Sequence, residues 1–349
     1  MQLALLGQAG RVNRPYLEER LGADWRIGHW TPGEAETDAA ALLNAADAVV
    51  AGPDALMSGR TFELIQRSPS LKLFQVPFVG TDWLRPEGLP KGMAVCNAMG
   101  HEEPMAEFVL ASLLEWEIGL GRLDRSFRGG SWEYQGISRD PASKHGEVFG
   151  KTLGLFGYGQ IGKETAKRAA AFGMRTIALA RSPRSETPAP LDWIGTRADL
   201  DRFLAESDYI ALVCDLNAET RHAFDGPAFA KMKPTAVIVN VARGPVIEEE
   251  ALYEALSTKR IAGGIIDTWY IYPGRPLPGM APEESPRPSR FPFHELDNLI
   301  MTPHCSAHTE AADRRRWLSV ADNLNAFAKG ERPPHFVMEG TGDFAPTDL

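Results

Sequence analysis

The chain has 349 residues, 44% hydrophobic and 24% charged, with a formal net charge of -9. That is enough apolar material for a sizeable core, the length suggests two domains, and the acidic balance argues against a nucleic-acid partner. No apolar run is long enough to span a membrane. Cys96, Cys214 and Cys305 are widely spaced, show no metal-ligand pattern and read as thiols of a reducing, cytoplasmic compartment.

From the N-terminus, residues 1–7 lack a basic leader and a cleavage site, and residues 3–6 read as a first strand. Residues 46–51 and 71–76 read as two more, punctuated by glycine, proline and aspartate. Residues 102–120 form a long helix candidate with Pro104 in its first turn, taken as the bridge between domains. Residues 128–150 read as a polar connector. Strand and helix then alternate, with strands at 152–156, 176–180, 209–214, 236–240 and 263–267, which implies a parallel, doubly wound α/β sheet. Residues 274–293 are proline-rich and aperiodic, either a disordered insertion or a lid over a site. Residues 310–329 read as a final helix returning to the first domain, and the tail from Pro333 as poorly ordered.

The most informative stretch is Gly157-Tyr158-Gly159-Gln160-Ile161-Gly162, between the apolar strand ending at Phe156 and a helix over residues 163–172. Strand, three glycines at this spacing and helix make a dinucleotide-binding turn: Gly157 for the tight turn, Gly159 for close approach of a pyrophosphate, Gly162 for packing of helix on strand. The N–H groups at the helix start then face the anion. The next strand of such a unit usually ends in an acid that binds the ribose hydroxyls; here Ala180 stands there, followed by Arg181, Ser182 and Arg184. A carboxylate at about 4 Å from an added phosphate would repel it by about 4 kcal/mol per unit charge at an effective dielectric of about 20. Arginine reverses the sign and grips phosphate oxygens in pairs. The segment therefore points to NADP(H) over NAD(H), unless both arginines are solvated loop charges.

With these segments in hand, the chain resembles the D-isomer-specific 2-hydroxyacid dehydrogenases from about Leu71 to about His308. The resemblance is carried by Gly150-Lys151-Thr152-Leu153-Gly154, Glu219-Thr220-Arg221-His222, Met232-Lys233-Pro234, Asn240-Val241-Ala242-Arg243-Gly244-Pro245, residues 263–267 and Thr302-Pro303-His304, in that order. It implies two Rossmann-like doubly wound domains, with a dinucleotide-binding domain (104–305) inserted into a flavodoxin-like substrate domain (1–103 and 306–349). It also implies a homodimer and the reversible NADPH-dependent reduction of a 2-keto acid to a D-2-hydroxy acid.

By the same resemblance, Arg243 binds the carboxylate and carbonyl oxygen of the substrate, a task suited to its guanidinium fork. His304 is the general acid/base, and the other histidines receive no catalytic role. Val79 and Gly80 donate backbone N–H groups to the carboxylate. Phe78 stands where the family commonly has glycine, and either reshapes the pocket or belongs to the core; Trp83 and Trp269 pose the same choice. Asp267 is implied near the nicotinamide carboxamide or ring, with Ser306 as a second polar contact and Met105 as apolar packing. Cys214, Thr220, Val241 and Ala242 complete the implied cofactor positions.

One position breaks the pattern. The glutamate that the family pairs with its histidine is replaced by Tyr272, with Pro273 keeping the register. A phenol, with a reference pKa of about 10, makes a hydrogen bond but supplies no charge. Three accounts are open. Tyr272 orients His304, whose lower pKa favours reduction under more acidic conditions; Glu283 or Glu284 substitutes; or the reaction needs no strong proton donor, as in the formate dehydrogenase branch, which carries a neutral glutamine there. Asp215, where the family usually has proline, has no account at this level. Alternatives to keto-acid reduction are hydride transfer on formate or another small oxyanion, and a non-catalytic NADP(H)-sensing interaction protein.

Overall fold

Short strands and the helices between them build the two units of this protein, in a computed structural model that describes residues 1–56, 59–136, 143–273 and 286–343. One unit is Met1–His101 with His308–Leu349; the other is Glu102–Ala307. The first contains β1 (Gln2–Leu6), α1 (Gln8–Glu18), β2 (Arg26–Trp30), α2 (Glu36–Asn44), β3 (Ala48–Ala51), α3 (Pro53–Leu56), α4 (Gly59–Arg67), β4 (Leu73–Gln75) and β5 (Ala94–Cys96). The second begins with α5 (Glu102–Ile118), α6 (Leu120–Arg128), β6 (Thr152–Phe156), α7 (Gln160–Ala171), β7 (Arg175–Leu179) and β8 (Trp193–Gly195). It continues through α8 (Leu200–Glu206), β9 (Tyr209–Leu212), α9 (Gly226–Lys231), β10 (Val237–Asn240), α10 (Glu249–Ser257), β11 (Gly263–Ile266) and β12 (Leu299–Met301). The chain then returns to the first unit as α11 (Glu310–Ala328) and β13 (Phe336–Glu339).

The second unit's sheet runs β12-β11-β10-β9-β6-β7-β8, all parallel. Counted from β6, this is the 3-2-1-4-5-6 order of a dinucleotide-binding sheet with one added strand. Strands β6, β9, β10 and β11 are buried at every position, as a sheet covered on both faces requires. One core packs Phe156, Ile210, Ile238 and Phe224; the other packs Leu155, Ala211, Val239 and Met105. The first unit's sheet runs β13-β5-β4-β3-β1-β2, the 2-1-3-4-5 flavodoxin order with an antiparallel strand added at one edge. Both sheets match the fold class expected from the sequence.

Two local expectations are corrected. The helix expected over residues 102–120 ends at Ile118, because Gly119 adopts a left-handed conformation (φ 69°) and starts the separate helix α6. The tail from Pro333, expected to be poorly ordered, forms β13 against β5; Phe336 packs on one core and Met338 on another, across a register shift between them. Of the proline-rich segment, residues 274–285 lie outside the described residues, Glu283 and Glu284 among them. The described remainder is held against α10: buried Glu249 accepts hydrogen bonds from Ser289 Oγ (2.7 Å), Arg290 N (2.9 Å) and Arg290 Nε (2.8 Å). Short strands β2 and β8 lie outside the strands expected from the sequence.

Candidate active site

The glycine turn leaves the C-terminal end of β6. Gly157 has φ 113°, and a Cβ there would lie 2.8 Å from the Val213 carbonyl oxygen, so only glycine makes this turn without strain. A Cβ on Gly162 would lie 2.6 Å from the Gly157 carbonyl oxygen, which is the close helix–strand packing expected of that position. At Gly159 a Cβ would meet nothing within 4 Å. The start of α7 is thus open at the residue where a pyrophosphate must approach the backbone, and the turn fits a dinucleotide. Within the turn Tyr158 is buried, Ile161 packs against the same core, and Gln160 Oε1 accepts from Lys163 Nζ at 3.0 Å.

Past β7, Ala180 offers no carboxylate and Ser182 is exposed. Arg181 Nη2 lies 3.3 Å from Asp215 Oδ2, with both side chains largely exposed. Asp215, unexplained by sequence, therefore has a cationic neighbour. Arg184 turns elsewhere, its guanidinium 5.7 Å from the centre of the Tyr158 ring. At the end of β9, Cys214 packs against the core, and Thr220 Oγ1 donates to the Asp215 carbonyl at 2.6 Å while accepting from Asn217 N at 2.9 Å. Both positions shape the turn that follows the strand.

Arg243 follows β10. Buried Asn240 fixes its turn: Nδ2 donates to the Arg243 carbonyl (3.0 Å) and Oδ1 accepts from Ala242 N (3.0 Å). Val241 and Ala242 are buried in opposite cores, and Arg243 Nη1 donates to the Ala242 carbonyl at 2.8 Å. A Cβ on Gly244 would lie 2.2 Å from the Trp269 carbonyl oxygen, so this glycine lets the Arg243 turn and the segment after β11 approach each other.

His304 lies in the loop after β12, at φ 60°, a conformation uncommon for a residue with a side chain. Fully buried Asp267 holds that loop. Its Oδ1 accepts from Thr302 Oγ1 (2.7 Å) and Cys305 N (2.9 Å), and its Oδ2 from Ser306 N (3.0 Å). Burial alone would raise this carboxyl's pKa, but the bonds from Ser306, Thr302 and the loop amides outweigh it and hold the group below its ordinary value. Both oxygens of Asp267, implied by resemblance near the nicotinamide, are thus engaged with the histidine loop, and Ser306 is one of its donors. Met105 is buried in the core that contains Tyr158 and Val241.

Tyr272 Oη lies 3.0 Å from His304 Nδ1 and accepts from Trp269 N at 2.9 Å. The amide takes one lone pair of the phenol. The other can accept from a protonated Nδ1, and the phenol can itself donate to a bare one, so the contact serves either protonation state of the ring. Trp269 also donates Nε1–H to the Thr302 carbonyl (2.8 Å) and is core rather than exposed wall. Sequence reasoning missed Trp269 and Asn240 as organisers of the site, because their side chains bond to backbone groups of the turns, and such partners have no residue-type signature.

The loop that contains Val79 and Gly80 belongs to the first unit. Its carbonyls are engaged: Phe78 O accepts from Ala98 N (3.3 Å), Val79 O from Asn97 Nδ2 (3.1 Å) and Gly80 O from Trp83 Nε1 (3.2 Å). The Val79 and Gly80 amides donate to no partner among the described residues. Phe78 is half-buried against that unit's core, and Trp83 packs edge-on against Phe62 and Phe74.

Residues 110–306 match the family model described as D-isomer specific 2-hydroxyacid dehydrogenase, NAD binding domain. A hydroxypyruvate reductase of Thermotoga maritima is 34% identical over 266 residues, 76% of this chain and 80% of the relative. A glyoxylate reductase of Thermococcus onnurineus is 34% identical over 282 residues, 79% of this chain and 78% of the relative. A solved D-isomer specific 2-hydroxyacid dehydrogenase family protein from Aeromonas salmonicida superposes with a TM-score of 0.78 at 26% identity, covering 97% of this chain and 98% of that one. Among the described residues no helix is long and apolar enough to cross a membrane.

Proposed function

This chain belongs to the D-isomer specific 2-hydroxyacid dehydrogenases, and on that premise we propose that it reduces a small 2-keto acid to the D-2-hydroxy acid with NADPH. The reading rests chiefly on the pairing of His304 with Tyr272 next to the Arg243 turn, at the C-terminal ends of strands β10, β11 and β12, where open α/β sheets bind ligands. Relatives named for hydroxypyruvate and glyoxylate reduction favour small keto acids.

The glycine turn and the start of α7 would hold the dinucleotide, which when bound supplies the hydride to the carbonyl carbon. Arg243 would bind the carboxylate and the carbonyl oxygen of the keto acid, drawing charge toward the oxygen that becomes an alkoxide. Protonated His304 would give the Nε2 proton to that oxygen, while Nδ1–H stays hydrogen-bonded to Tyr272 Oη. Oxidation of the alcohol reverses the proton path. Homodimerisation is part of this reading and is open to sedimentation.

Steady-state rates with glyoxylate, hydroxypyruvate, pyruvate and phenylpyruvate test it. Wild type should turn over with NADPH, and much more weakly with NADH. His304→Ala should lower kcat about 100- to 10,000-fold with NADPH binding retained, and Arg243→Gln should also raise KM for the keto acid. Binding of NADPH without turnover of any keto acid, with formate oxidised instead, would replace this reading with simple hydride transfer.

A further inference from the structure

Beside the glycine turn opens a basin of about 620 Å³, lined by Tyr158, Lys163, Glu164, Lys167, Arg184 and Pro188 among others. Lys163 and Lys167 are four residues apart on α7 and share one face of it. Arg184 enters from the segment after β7 and lies over the buried Tyr158 ring. The one carboxylate of the lining, Glu164, is already matched, its Oε2 2.5 Å from Arg168 Nη1. Three cations therefore face the basin against a carboxylate engaged elsewhere. Arg181, the other cation after β7, faces Asp215 instead, and that carboxylate would oppose an anion arriving there.

We propose that this basin is a phosphate subsite in which Lys163, Lys167 and Arg184 hold the 2′-phosphate of NADP(H), and that Arg181 is not the principal contact. The inference rests on the NADPH reading and deepens it. Tyr158 is both a wall of the basin and the second residue of the dinucleotide turn, so the basin adjoins the place where the turn would receive the cofactor. Ala180 puts no acid between them. Lysine ammonium groups suit a compact dianion as point charges, and the planar Arg184 fork adds paired donors.

The test is equilibrium binding of NADPH, NADH, 2′,5′-ADP and 5′-ADP to wild type, to the double variant Lys163→Ala/Lys167→Ala, and to Arg181→Ala. The proposal expects wild type to bind the 2′-phosphorylated ligands more tightly. The double variant should weaken them about tenfold per lysine, with NADH binding unchanged as the control for folding. Arg181→Ala should change little. If wild type prefers NADPH, yet the preference survives in the double variant and disappears in Arg181→Ala, the basin is refuted while the cofactor reading stands. Equal losses for 5′-ADP and 2′,5′-ADP would put the 5′-phosphate end, rather than the 2′-phosphate, in the basin and also overturn it. A wild type with no preference for the 2′-phosphate ends the cofactor reading and the subsite together.

Discussion

Tyr272 is the residue that most separates this site from the pattern it otherwise follows. It keeps the hydrogen bond to His304 Nδ1 and is itself fixed by the Trp269 amide. What it does not bring is negative charge, which would favour the protonated imidazole. Tyr272→Glu should therefore move the fall in reductase activity at rising pH to higher pH, read from kcat/KM profiles. Tyr272→Phe should keep the aromatic volume, leave the Trp269 amide without its acceptor and lower kcat about tenfold or more, with little change in NADPH affinity. An unchanged pH profile in Tyr272→Glu would show that the phenol is not what sets the proton donor's working range. The chain was readable here because one substitution stands out in an otherwise matched segment. The partner of Tyr272 on its other side was not, because a backbone amide has no sequence signature.

Two turns decide how the elements present these residues. The loop after β12 keeps His304 at positive φ because Asp267 gathers the donors on either side of it. Since the folded carboxyl is held below its ordinary value, its stabilising contribution is fully present above the unfolded pKa of about 3.9 and is lost as pH falls through the lower folded value. Urea unfolding from about pH 6 to about pH 3 should show Asp267→Asn less stable than wild type, with the gap narrowing at the acid end. Asp267→Ala should cost about 1–3 kcal/mol for each donor left buried without an acceptor, and should lower activity by releasing the histidine loop. The second turn is Gly119, whose left-handed conformation separates α5 from α6. Gly119→Ala should lose about 1 kcal/mol, measured by thermal or urea unfolding. The sequence reading ran the helix through Gly119, since a glycine within a helical pattern costs about 1 kcal/mol and does not by itself fix a stop. It passed over β13 because the strand is fixed by pairing with the open edge of β5 rather than by its own alternation.

At the scale of the whole molecule, one continuous stretch builds the dinucleotide unit, and the two chain ends together build the other. Ligand that binds only the folded state stabilises by mass action, about 2.7 kcal/mol at a concentration near 100 times Kd. Calorimetry with NADPH should therefore raise the midpoint of unfolding, and NADH at the same concentration should raise it less. Equal shifts with the two would count against the cofactor preference. Burial also separates inert from accessible thiols: Cys96 is fully buried in β5 and its thiol is pushed up to about 12, so it should resist alkylation until the first unit unfolds.

By itself the sequence determined the alternation of strands and helices, the dinucleotide turn, and the residue types at the candidate catalytic positions. These are local matters: apolar periodicity, glycine where the backbone must turn or approach, and a side chain with the right chemistry in a fixed motif. Only the tertiary structure decided what those side chains face. Asp267 is turned onto the histidine loop, Asp215 onto Arg181, and Arg184 onto Tyr158 beside two lysines from α7. Such pairings join segments far apart in the chain. They depend on where parallel strands end, and a linear pattern does not carry that distance.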